Sequence, residues 1–107
     1  MMKAYEVIYK GGNKFKTETV KGYSLIGAAC KLRDDMYVVS IKEISFERYH
    51  TLNIASAIRE ADTWDDCEYE CAELCRLANM ESEWREADGD TFEAVLIEAA
   101  KKLQVEI

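Results

Sequence analysis

The chain has 107 residues, 49% hydrophobic and 33% charged, with no proline and no low-complexity tract; this excludes a disordered or fibrous protein and fits one globular domain over 1–107. Its formal charge of −7 argues against general nucleic-acid or anionic-membrane binding and leaves room for a basic partner. No segment approaches the run of about 20 apolar residues that a membrane span needs, so the expectation is a cytoplasmic protein without membrane association.

The charge is unevenly spread. Residues 1–50 carry nine Lys and Arg against six Asp and Glu, a net +3, whereas residues 51–107 carry five against fifteen, a net −10. The acidity is a property of the second half.

In chain order, Ala4–Lys10 and Lys14–Val20 are short runs rich in Tyr, Val, Ile, Phe and Thr around Gly11-Gly12-Asn13, whose residues tolerate the positive φ of a tight turn. This predicts a β-hairpin with Tyr5, Val7 and Tyr9 on one face and Glu6, Ile8 and Lys10 on the other, one face being wet. Ser24 is placed to cap a helix from Leu25 to about Asp34, with Leu25, Ala28, Ala29 and Leu32 at core spacing. Tyr37–Phe46 reads as a third strand, and its alternation slips between Ile41 and Ile44, which predicts a bulge near Lys42-Glu43.

From Thr51 the pattern is helical. Ile54, Ala57, Ile58 and Ala61 form one stripe, and Thr63 with Asp66 has the spacing of a capping box. The helix that follows carries Cys67, Cys71, Leu74, Cys75 and Ala78 on one face, and it either stops near Met80 or continues through Trp84 to Ala87. Gly89 reads as a stop, Asp90 with Glu93 as a second capping box, and Phe92, Val95, Leu96, Ala99 and Leu103 as the core face of the last helix. The expected architecture is α+β: a three-stranded antiparallel sheet in a ββαβ part over about 1–48, then an acidic part over about 51–107 of two to three helices whose apolar faces hold the cysteines, Trp64 and Phe92.

Four features bear on chemistry. Thiols four residues apart on a helix can reach one metal ion, with Cys30 or His50 as further ligands, but structural zinc sites draw paired ligands from short turns and free cysteine is among the most buried residue types. The stripe Cys67, Cys71 and Cys75 is therefore read as reduced core, with metal binding or redox chemistry as the rival. His50, the only histidine, has no nucleophile in a recognisable elbow beside it and reads as a loop residue between a strand and a helix. Lys10, Lys14, Lys16 and Lys21 with Tyr9, Phe15 and Tyr23 could form a stacking platform for bases, although strand aromatics are usually core and hairpin lysines usually discourage edge pairing. Asp62, Asp65, Asp66, Glu70 and Glu73, together with Glu68, lack the glycine and alternating ligands of a calcium loop. They read as a solvated helix face or a surface for a basic partner.

The opening MKAYEVIYKGGNKFKTETVKGYSLIGAAC, the VVSIKEI strand and the closing ADGDTFEAVLIEAAKKLQVEI resemble small ββαβ proteins encoded in phages and conjugative elements of Gram-positive bacteria, some of which, of similar strand and helix order, are anti-CRISPR inhibitors. The resemblance implies a mobile-element accessory protein that acts by binding, and it transfers no functional residue. The expectation is a non-enzymatic interaction protein without a cofactor, using Asp62, Asp65, Asp66, Glu70 and Glu73 to bind a basic or nucleic-acid-binding protein. The alternatives are a nucleic-acid module built on the hairpin, a less favoured partner class, or a cysteine metal or redox site.

Overall fold

A computed structural model describes residues Met1–Ile107 and shows an α+β protein. Strands β1 (Lys3–Gly11) and β2 (Lys14–Gly22) are followed by α1 (Leu25–Ala29), β3 (Tyr37–Ile44), α2 (Phe46–Glu60), a 3₁₀ turn (Asp65–Cys67), α3 (Glu68–Leu77), α4 (Glu81–Glu86) and α5 (Phe92–Leu103). Contacts divide the chain into two compact units, Met1–His50 and Thr51–Ile107, with the boundary inside α2.

In the first unit the sheet is antiparallel with order β2-β1-β3, so β1 is central. Gly11 pairs with Lys14 across a two-residue turn in which Gly12 has φ 61, a value glycine adopts without steric cost. Tyr5, Val7 and Tyr9 are buried as their spacing predicts, but the opposite face of β1 is not wet throughout: Ala4 is buried and Glu6 is only 9% exposed. On that face the Glu6 carboxylate lies 3.6 Å from the ammonium of Lys42, its cross-strand neighbour.

Helix α1 is shorter than its apolar spacing predicts. Ser24 caps it, its hydroxyl accepting from the Gly27 amide at 3.1 Å, but the helix ends at Ala29. Competing contacts claim the residues beyond. The Arg33 amide donates to the Tyr9 hydroxyl at 3.2 Å, and its guanidinium forms a fork on Asp35 at 2.9 and 2.8 Å while donating to Glu18 at 2.9 Å. These bonds fasten the connection before β3 onto the Tyr9 face of the sheet. At Gly22 a Cβ would lie 2.7 Å from the Ala28 amide nitrogen, so the β2–α1 corner closes only on glycine.

β3 ends at Ile44 rather than Phe46, because Ser45 turns the chain into α2 by accepting the Arg48 amide on its hydroxyl. The irregularity in β3 lies at Val39, where the pairing steps from Ile8–Ser40 to Tyr9–Val38, and not at Lys42-Glu43.

The second unit holds four helices counted from α2, rather than two to three, because α3 stops at Leu77. Asn79 adopts φ 59, its amide donates to the Arg76 carbonyl, and the Met80 amide returns to the Cys75 carbonyl at 2.7 Å, a Schellman closure built on asparagine instead of glycine. The same closure ends α5 at Gln104 (φ 56). Entry into α5 is set by Asp88 and Thr91 rather than by Asp90 and Glu93: the Asp88 carboxylate accepts the amides of Asp90 and Thr91, and the Thr91 hydroxyl accepts the Asp88 amide. These bonds hold the Asp88 carboxyl below the usual carboxylate range. The core gathers Ile54, Ile58, Cys67, Cys71, Leu74, Cys75, Leu96 and Ala99, with the Phe92 ring edge-on to both Trp64 and Trp84.

Leu74 is fully buried at the centre of this cluster. Leu74→Ala is expected to lower the free energy of urea-induced unfolding by about 2–5 kcal/mol, read as a shift of the midpoint at constant slope.

Candidate functional site

The segment leading into α3 holds the exposed acids. Asp62, Asp65 and Asp66 are exposed, and no basic side chain pairs with them. Thr63 supplies half of the expected capping box: its hydroxyl accepts the Asp66 amide at 3.3 Å, which leaves the Asp66 carboxylate to solvent. Cys67 ties the turn to the core, its thiol lying 3.6 Å from the carbonyls of Thr63 and Trp64.

Glu70 and Glu73 stand differently. Glu70 is half-buried, and Glu73 forms an ion pair with Arg76 one turn on, which keeps the Arg76 guanidinium charged and leaves the Glu73 side chain 12% exposed. The five acids of the sequence pattern thus separate into an exposed trio and a pair drawn toward the helix body. Glu73 instead lines an open groove of about 380 Å³ between α3 and α4, with Tyr69, Ala72, Arg76, Trp84 and Arg85. Sequence spacing hints at one wall, since Tyr69, Glu73 and Arg76 share a helix stripe, but the other wall exists only because Asn79 reverses the chain.

Cys67, Cys71 and Cys75 are all buried, at 2%, 1% and 0% exposure, and Cys30 is exposed at the end of α1. The Sγ atoms of Cys67 and Cys71 lie 3.6 Å apart. Burial pushes the Cys71 thiol up to about 12, helped by its contact with Cys67, and the Cys75 thiol up to about 11. Thiolate, the form that attacks and binds metals, is correspondingly scarce at neutral pH. No three His, Cys, Asp or Glu side chains come together so as to hold a metal ion. His50 is exposed and lies within α2 rather than in a loop before it.

The hairpin platform does not assemble as a single surface. Tyr9 is fully buried, on the face opposite Phe15, because its cross-strand partner is Lys16. Phe15 and Tyr23 are exposed, with the Lys10 ammonium 5.9 Å from the Phe15 ring centre. Lys16 pairs with Glu18 at 3.3 Å, and Lys21 lies 4.7 Å over the Tyr49 ring.

No family model matches the chain, and neither a curated protein nor a solved structure is similar to it. No helix is long and apolar enough to cross a membrane.

Two outcomes follow from the cysteine geometry. In a thiol-reagent titration of the native protein only Cys30 is expected to react promptly, the other three appearing on denaturation; prompt reaction of Cys71 or Cys75 would contradict their burial. Because folding raises these two thiols from 9.0 to about 12 and about 11, their contribution to stability is complete below pH 9 and is lost as the pH rises toward those values. Thermal melts of wild type and Cys71→Ala are therefore expected to diverge in pH dependence above pH 9, the wild type losing more stability.

Proposed function

We propose that the protein is a non-enzymatic accessory protein whose acidic helical unit binds a basic or nucleic-acid-binding protein, in the cytoplasmic, mobile-element setting that the resemblance of its opening and closing segments implies. One observation carries this reading. Of the fifteen acidic residues in 51–107, Glu73 alone is ion-paired, and Asp62, Asp65 and Asp66 are exposed together ahead of α3. Uncompensated carboxylates repel one another and gain most from a cationic partner brought within the screening length of about 8 Å at physiological ionic strength. Burial of three thiols, and the position of His50 on an exposed part of α2, support a binding role over nucleophilic chemistry.

The test is a tagged pull-down from the native host at low salt, repeated with Asp62, Asp65 and Asp66 changed to Asn. Glu73 is left intact because Arg76 already occupies it. Capture of a basic protein by the wild type, released by moderate salt and absent with the triple variant, is the expected outcome. A partner retained equally by the variant would rule the surface out, and salt-dependent retention of the isolated protein on DNA or RNA would move the function to the hairpin.

A further inference from the structure

We infer that the basic partner proposed above carries a bulky apolar side chain that seats in the groove between α3 and α4; the inference rests on the acidic-surface reading and adds a specificity site to it. One small residue opens the groove. Tyr69, Ala72 and Arg76 follow one another at helical spacing on α3, and the single methyl group of Ala72 leaves a gap between a ring and a guanidinium stem. The reversal at Asn79 brings Trp84 across to form the opposite wall. Trp84 is partly buried against the helical core and stands edge-on to Phe92 at 6.5 Å, so this wall is in place before anything binds. Tyr69 is 70% exposed and offers apolar surface that an occupant would cover. The volume of about 380 Å³ suits one large side chain and its neighbours.

Charge decides what that occupant is. Glu73 pairs with Arg76, and Glu81 and Arg85 stand four residues apart on α4, so the groove is lined by two carboxylates and two guanidiniums. A balanced lining selects neither an anion nor a cation, and what it offers is apolar: two aromatic rings and the Ala72 methyl group. Selection by charge comes from the neighbouring turn. Asp65 and Asp66 stand four and three residues before Tyr69, in a turn that runs directly into α3. That spacing sets them on the side of the helix that carries Tyr69, about 10 Å along the axis from Ala72 at roughly 1.5 Å per residue. An anionic ligand is disfavoured by the fifteen acidic residues, against five basic, of 51–107, and a purely basic one would leave the groove empty. The arrangement fits a peptide segment with lysines or arginines at one end and a Phe, Trp or long aliphatic residue about 10 Å away. Buried apolar anchors of this kind carry most of the energy of a recognition surface, and the charges around them set approach and orientation.

Matched lysine-rich peptides titrated into the isotopically labelled full chain test this. Two carry a single Phe, about three or about seven residues beyond the lysines, the spans that cover 10 Å in an extended or a helical segment; two counterparts carry Ala instead. At least one Phe peptide is expected to bind about tenfold tighter than its counterpart and to move the Trp84 indole N–H together with the amides of residues 62–66. That advantage is expected to persist as salt weakens the binding common to both. Ala72→Leu, which fills the groove, is expected to erase the advantage while keeping the shifts at 62–66, and those shifts also show that the variant is folded. Equal affinities for Phe and Ala peptides, with shifts confined to 62–66, would overturn the anchor and leave the acidic-surface reading standing. Movement of Trp84 without movement at 62–66, or an advantage retained by Ala72→Leu, would overturn it by separating the groove from the acids or the anchor from the groove. If no peptide shifts 62–66, the acidic-surface reading fails and this inference fails with it.

Discussion

Mutual repulsion among fifteen carboxylates, opposed by only five cations, is the constraint under which the second half of this protein folds. What opposes it is apolar burial. Leu74 and Leu96 are fully buried, the thiols of Cys67, Cys71 and Cys75 fill the space around them, and the Phe92 ring is held between two tryptophans. Cysteine suits this role because it is small and apolar, and desolvation raises the Cys71 and Cys75 thiols further from ionisation. The same residues that look like a metal or redox motif in one dimension are what allow the surface of the unit to remain so strongly negative.

The first unit solves a different problem. A three-stranded sheet has one strand to bury on both faces and two edges to manage. β1 accommodates the burial with Tyr5, Val7 and Tyr9 on one side and an ion-paired Glu6 on the other. Arg33 performs three tasks at once, satisfying the Tyr9 hydroxyl through its amide and joining Glu18 to Asp35 through its guanidinium. Because the Glu18 it holds is also the partner of Lys16, the clamp that fastens the α1–β3 connection also fixes the charge pattern along β2. Stability of the unit and chemistry of its edge are linked through one carboxylate.

Legibility in the sequence followed the range of the interactions involved. The hairpin turn at Gly12, the Ser24 cap and the cysteine face of α3 were readable because each is a local pattern of a few residues. The end of α1 was not, since it is decided by Arg33 reaching Tyr9 and Glu18, 24 and 15 residues away. The sequence left the end of α3 open between a stop near Met80 and continuation to Ala87, because Asn79 is a weaker stop signal than glycine, yet it adopts the left-handed conformation that a Schellman closure requires. The candidate acidic surface was legible as a count of charges but not as a surface. Asp62, Asp65 and Asp66 remain exposed, whereas Glu73 turns to Arg76 and becomes part of a groove that no linear motif announces.

The central claim is that the uncompensated acids ahead of α3 form the binding surface, and the most direct measurement is an NMR titration of the isotopically labelled protein with a lysine-rich peptide at low salt. The account predicts salt-reversible shifts concentrated on the amides of residues 62–66, with the hairpin amides of residues 14–21 unaffected. Shifts spread evenly over every acidic position of 51–107, or absent from residues 62–66, would contradict it and reduce the trio to ordinary solvated charge.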